Sequence, residues 1–188
     1  AAPHIAHRAI RNLGTFGGAL AYADPAAEWP ACVLALDATL VIASAKGERR
    51  VAAADFFQGL YTTAMQPGEL LTAIRIPATM ANASFYWEKV RDRNVWDFPL
   101  VNVAAAMKVS GNTISEARLA VGAVAARPLR LTAVEAAVAG KPRTEETASA
   151  AGELAIQGAV ALRYNAYKIP LMRNLVKRAI RGNAQATT

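Results

Sequence analysis

The stretch GTFGGAL, residues 14–20, places two adjacent glycines directly after a Thr–Phe pair. Glycine tolerates positive φ and removes the side chain, so a ligand can approach the main chain there. Two such residues after Thr15 expose N–H groups that could cradle a phosphate or the edge of a planar ring. The alternative is a tight turn leading out of a strand, with no ligand at all. Several better-known chemistries are excluded by spacing. The dinucleotide fingerprint needs spaced glycines after a strand, and GTFGGAL lacks that spacing. No Gly-Lys-Ser/Thr phosphate loop and no Gly-x-Ser-x-Gly nucleophile elbow occurs.

The remaining polar candidates are individually weak. Glu28 follows Asp24 by four residues and could be a solvated helix residue. Lys89 lies in the strand-like stretch FYWEKVRDR, where its stem could carry the ammonium outward. Asp92 and Arg93 could simply pair with each other, and Tyr164 and Tyr167, beside Asn165, could serve packing. No two carboxylates have a spacing that imposes acid–base chemistry. The single cysteine, Cys32, excludes a disulfide or an all-cysteine metal cage within the chain. The two histidines, His4 and His7, would need further ligands to hold zinc, so no metal site is expected.

These residues must be positioned by the elements around them. Asp24 followed by Pro25 reads as a helix start. Pro30 would interrupt that helix, so a second one is expected from Ala31 to about Leu36. ATLVIAS (38–44) reads as a strand and KGE (46–48) as a turn. Asp55 would cap a short helix that buries Phe56, Phe57 and Leu60. ELLTAIRIP (69–77) reads as a strand closed by Pro77. The featureless ATMANAS (78–84) marks a domain boundary. Beyond it, FYWEKVRDR, LVNVAAAMKV and TISEARLAVGAVA read as three antiparallel strands, the last two joined at Ser110-Gly111-Asn112. Three helical segments follow: one from Thr132 to Gly140, one over TEETASAAGELAIQGAVAL, and AYKIPLMRNLVKRAIRG, with Leu171, Leu175, Val176 and Ile180 on one side. Three helices on a three-stranded sheet make an α+β layer arrangement.

With 188 residues, of which 54% are hydrophobic and 19% charged, the chain can build a packed core. No apolar run reaches membrane-spanning length. The net charge is +7, but the cations are scattered and not interleaved with aromatics, so nucleic acid is not an expected partner. The densest basic stretch, Arg173 to Arg181, reads as a solvated helix face.

Taken in order, four segments resemble the FAD-binding subunit of molybdenum hydroxylases. That family includes the medium subunit of aerobic carbon monoxide dehydrogenase and the flavin part of xanthine dehydrogenases and aldehyde oxidoreductases. IRNLGTFGGALAYADPAAEWPACVLALDA is similar to its second flavin-binding stretch. GELLTAIRIP resembles the strand closing the flavin domain, FYWEKVRDRNVWDFPLVNVAAAM the opening of the C-terminal domain, and NAYKIPLMRNLVKRAI the last helix. The resemblance implies the second half of a two-part FAD-binding α/β domain at residues 1–78. A three-stranded antiparallel sheet with a three-helix layer would follow at 84–188.

The resemblance further implies an electron-transfer flavoprotein. A large subunit would carry a molybdenum cofactor, a small one iron–sulfur clusters, and FAD in this chain would pass electrons to an external acceptor. Residues implied to bind FAD are Ile5, Thr15, Phe16, Gly17, Gly18, Ala19, Asp24, Glu28, Leu71 and Lys89. Many relatives have Asn or Ser where Ala19 stands, which leaves backbone contacts there. The family's upstream flavin segment, with its pyrophosphate-gripping glycine loop, has no counterpart in these 188 residues. The expectation is therefore weak or no FAD binding by this chain alone, and the alternative is a subunit-docking module without flavin. The cytoplasm is the expected compartment, or the periplasm if a partner subunit is exported with it.

Overall fold

A computed structural model describes residues 1–182. Helices come first: α1 (Arg8–Leu13), α2 (Phe16–Tyr22) and α3 (Trp29–Ala35). In α2, the Thr15 side chain accepts from the Gly18 N–H, and Ala23 closes the C-terminal end in the left-handed region. This cap contributes about 1 kcal/mol, which matters in a seven-residue helix holding two glycines. The glycine pair is therefore not in a turn leading out of a strand. It lies inside the first turn, and neither residue has positive φ.

Asp24-Pro25 does not start a helix. Asp24 Oδ1 accepts from the Ala26 N–H at 2.8 Å, which closes a turn instead. The next helix begins four residues later, and Pro30 sits in its first turn, where no N–H is required.

Then come β1 (Thr39–Ser44), β2 (Gly47–Ala52), α4 (Ala53–Phe56), β3 (Phe57–Gly59), β4 (Thr62–Thr63) and β5 (Leu70–Arg75). Strand β1 is central, antiparallel to β2 on one side and β5 on the other. Its Leu40, Val41 and Ile42 are buried. Phe56 and Phe57 are buried as expected, but Leu60 sits exposed at the tip of the β3–β4 hairpin. Asp55 lies within α4, so it is not the cap.

The second sheet holds β6 (Ser84–Val90), β7 (Val101–Ser110), β8 (Thr113–Gly122) and β9 (Leu129–Arg130). Among the described residues it has four antiparallel strands in chain order, not three. The addition is β9, a two-residue strand too short to leave a pattern in sequence. Helices α5 (Thr132–Val138), α6 (Glu145–Ala155) and α7 (Lys168–Arg181) cover one face. Helix α6 stops well short of the length its alanine-rich sequence suggests. In α7, Leu175, Val176 and Ile180 are fully buried, and Leu171 packs at the edge of the same core.

Strand β7 explains how the two sheets are joined. Val101, Val103, Ala105 and Met107 face the helical layer, whereas Ala104 belongs to the core shared with α3 and β1. Across the sheet, Trp87, Ala104 and Ala120 are register partners on that second face. Two alanines in this row let the backbone of α3 lie close to the sheet. Being covered on both sides, β7 is apolar along nearly its whole length.

Charged groups frame this junction. Asp37, in the left-handed region just after α3, accepts from Arg118 Nε at 2.7 Å and also from Arg130. Arg130 donates to the Leu34 carbonyl at 3.0 Å and pairs with Glu135. Burial pushes the Asp37 carboxyl up, but the hydrogen bonds from Arg130 and Arg118 outweigh it and hold it below its ordinary value.

Arg130→Ala is expected to cost about 2 kcal/mol in urea unfolding, because the little-exposed Glu135 and Leu34 carbonyl each lose a donor, whereas Asp37, 42% exposed, keeps Arg118. Asp37 contributes stability that is complete above the ordinary carboxylate value of about 3.9 and lost as pH falls through its lower folded value. Asp37→Asn, which tolerates the same backbone conformation, is expected to remove that part of the acid dependence in a pH series of melts.

Candidate cofactor-binding site

Most of the sequence candidates converge along one seam. At its first end lies the opening turn of α2. The Thr15 hydroxyl accepts from Gly18 N–H at 2.9 Å, and its carbonyl accepts from Ala19 N–H at 3.1 Å. Among the described residues, the N–H groups of Phe16 and Gly17 have no acceptor. These are free first-turn donors at the positive end of the helix.

The two glycines have different reasons for being glycine. A Cβ at Gly18 would come within 2.8 Å of Thr15 Oγ1, so Gly18 protects the cap. A Cβ at Gly17 would meet only Leu71 Cδ2, at an ordinary 3.9 Å. Among the described residues nothing requires Gly17 to lack a side chain, although a helical glycine costs about 1 kcal/mol relative to alanine.

From α2 the seam continues through rings. Phe16 and Trp29 lie with centroids 4.5 Å apart. Trp29 is preceded by Glu28, the N-cap of α3, whose side chain makes no capping bond. It pairs instead with Lys89 on β6: Nζ to Oε1 is 2.5 Å, with the two side chains 1% and 6% exposed. Lys89 Nζ also donates to the His4 carbonyl at 3.0 Å and to the Asp97 carbonyl. All three ammonium protons are thus committed within the chain. Lys89 does not carry its charge outward as a surface lysine would; it is a buried tie between the N-terminal segment, the entry to α3 and the loop after β6.

Other candidates lie around this seam. The Ile5 carbonyl, beside His4, accepts from Arg11 Nη1 at 2.7 Å. Ala19 is half-buried in α2, on the turn after the cap. Leu71, on β5, flanks Gly17. Asp24 is not brought to the first turn of α2; it lies past the far end of that helix, where its Oδ2 accepts from Tyr61 Oη at 3.3 Å.

Sequence reasoning missed the partners that act through backbone carbonyls, His4 and Asp97, which leave no trace in residue type. It also missed Asn102, although a lone amide in LVNVAAAM was a readable signal. Burial with Arg91 and Lys89 nearby pushes the His4 imidazole below its ordinary value, and its ring lies 5.3 Å from that of Trp87. Burial pushes the Cys32 thiol up to about 12, so it is not a ready nucleophile. Among the described residues no group of three or more potential metal ligands comes together, and no helix is long and apolar enough to cross a membrane.

Two family models cover the chain. The FAD binding domain in molybdopterin dehydrogenase matches residues 1–79, and the CO dehydrogenase flavoprotein C-terminal domain matches residues 86–182. The chain belongs to the FAD-binding subunit family of the molybdenum hydroxylases.

Relatives in this flavoprotein family agree. The chain is 42% identical over 137 residues to the glyceraldehyde dehydrogenase medium chain of Sulfolobus acidocaldarius, covering 73% of this chain and 48% of that one. It is 36% identical over 184 residues to the carbon monoxide dehydrogenase medium chain of Hydrogenophaga pseudoflava, covering 96% and 64%. Among solved structures, quinoline 2-oxidoreductase from Pseudomonas putida 86 superposes with a TM-score of 0.88 at 35% identity, over 97% of this chain and 64% of that one. The flavoprotein chain thus spans about half to two thirds of the length of these relatives.

Lys89→Met is expected to lower stability by about 3–5 kcal/mol, since it leaves a buried carboxylate and two carbonyls without their donor. Adding Glu28→Gln removes the stranded charge and is expected to recover part of the loss in a double-mutant cycle of urea melts.

Proposed function

We propose that this chain is the electron-transfer flavin subunit of a molybdenum hydroxylase complex, with FAD lying against the first turn of α2. The observation that carries the reading is Gly17: among the described residues, a helical glycine that no neighbour requires, with two N–H groups there that have no acceptor. Removing a Cβ there leaves bare backbone for close approach of a flat or anionic group. Thr15 and Gly18 hold that turn in shape, Phe16 and Leu71 wall it, and Ala19 offers backbone only. Ile5 and the Glu28–Lys89 pair fix the far wall. Asp24 serves a neighbouring turn and is the weakest member of the proposed set.

Bound FAD would supply the redox chemistry, taking electrons from a partner and releasing them to an external acceptor. The residues named here bind and orient it; no proton transfer within this chain is required. The partners we infer are a large subunit carrying the molybdenum cofactor and a small subunit carrying iron–sulfur clusters. Support comes from the relatives, which are themselves named as medium chains of such dehydrogenases. The residues at hand fit a ring or ribityl contact better than a complete phosphate site, since one helix turn supplies only two free N–H donors. Weak FAD binding by the isolated chain follows from this reading.

Gly17→Ala is expected to weaken FAD binding at least about tenfold, roughly 1.4 kcal/mol, while raising the melting temperature by about 2–4 °C, since alanine is the better helix former. Gly18→Ala, by contrast, is expected to lower the melting temperature by displacing the Thr15 cap. Flavin fluorescence titration and thermal melts of both variants test this. FAD binding by Gly17→Ala equal to that of the wild type would overturn the placement.

A further inference from the structure

Asn102 is fully buried near the start of β7, and no role in flavin contact falls to it. Its register partners are Lys89 on β6 and Gly122 on β8. Lys89, Asn102 and Gly122 therefore form one row across the sheet, on the face turned to the flavin domain. The Asn102 Nδ2 donates to the Ala27 carbonyl at 3.4 Å, one residue before Glu28. Just past the end of β8, Ala123 donates its N–H to the Pro25 carbonyl at 3.0 Å from the left-handed region, an uncommon conformation for alanine. The turn that carries Glu28 is thus hung from the second sheet at two points.

Two features show that Asn102 is not ordinary core filling. Among the described residues its buried Oδ1 has no hydrogen-bond partner, a destabilising arrangement that an apolar side chain would avoid. In addition, a Cβ at position 122 would lie 2.6 Å from that same oxygen, so Gly122 makes room for the amide. Both the orphaned acceptor and the opposing glycine are accounted for by the one bond the amide does make, to Ala27.

We propose that Asn102 is a positioning residue: through the Ala27 carbonyl it fixes the Pro25–Glu28 turn, and with it the Glu28 carboxylate on Lys89. Its relevance to the cofactor rests on the reading of that pair as one wall of the flavin site. The link also makes the second domain part of that wall, since the side chain that sets the turn comes from β7.

Amide exchange and lysine reactivity in the 188-residue chain test this directly. In the wild type, Ala26 and Ala27 amides are bonded within the turn, and Lys89 is shielded from reductive methylation with formaldehyde and cyanoborohydride. In Asn102→Asp, exchange at Ala26 and Ala27 is expected to rise by about tenfold or more and Lys89 to become methylated, while Val103 and Leu119 keep their protection. Should the buried carboxylate prevent folding, the pair Asn102→Ala with Gly122→Ala carries the test, because the new methyl enters the room the amide leaves. Its turn is expected to exchange as fast as that of Asn102→Asp. Unchanged turn exchange and an unreactive Lys89 in both variants would overturn the proposal, as would a uniform loss of protection that included Val103 and Leu119. With FAD as the added probe, a loosened turn with weakened binding supports both readings. A loosened turn with unchanged FAD affinity supports Asn102 as the positioning residue and counts against the flavin site.

Discussion

The ion pair between Glu28 and Lys89 is the constraint around which the junction is built. Taking two opposite charges out of water costs several kcal/mol per ion, and their attraction offsets this only when the remaining hydrogen-bonding capacity is also met. The fold meets it with backbone. The His4 carbonyl arrives from the N-terminal segment and the Asp97 carbonyl from the loop after β6, and each takes one proton of the ammonium. Three stretches far apart in sequence are therefore held to one nitrogen. The loop after β6 is closed in turn by Asp97, whose Oδ2 accepts the N–H groups of Asp92 and Arg93 at 2.8 and 2.9 Å.

A charged centre of this kind needs a precise frame, and side-chain size supplies it. Helix α3 is apolar and small on nearly every side, with Pro30, Ala31, Val33, Leu34 and Ala35 buried. It sits between Leu40 and Ile42 of one sheet and Ala104 and Ala120 of the other. Larger residues in that row would lift the helix and pull Glu28 off Lys89. At the other end of the helix, Asp37, Arg118 and Arg130 fix its exit. The helix is thus pinned at both ends by charge and set at its middle by alanine.

Legibility in the sequence obeys the same physics. The strands at 39–44 and 101–110 are legible because burial demands β-branched or small apolar residues, and α7 because one face is uniformly apolar. Strand β2 shows only its leading turn in the sequence, since GERRVA is an exposed edge whose charges hide its pairing. The first helix, RAIRNL, buries no residue and so leaves no stripe. Asp24-Pro25 misleads because an Asx turn and a helix N-cap use the same side-chain bond and differ only in the path the chain takes next. Around the site, Glu28, Lys89 and the glycine pair are legible as residues. The carbonyls that hold Lys89 are not, because any residue type can supply one.

The glycine pair shows why a motif must be taken apart before it is assigned a role. As sequence, Gly17 and Gly18 are equivalent, and either a turn or a ligand accounts for both. In the fold they separate: Gly18 is required by the Thr15 cap, and Gly17 is not required by any neighbour among the described residues. Both weaken a helix of only seven residues, which survives on its cap, its left-handed stop at Ala23 and the fully buried Leu20. A residue that destabilises its own element without relieving any internal contact leaves its explanation outside the chain. In the proposed flavin site, the bare surface at Gly17 is where the cofactor would supply that explanation. Gly18, the more constrained of the two, has a structural reason of its own in the Thr15 cap.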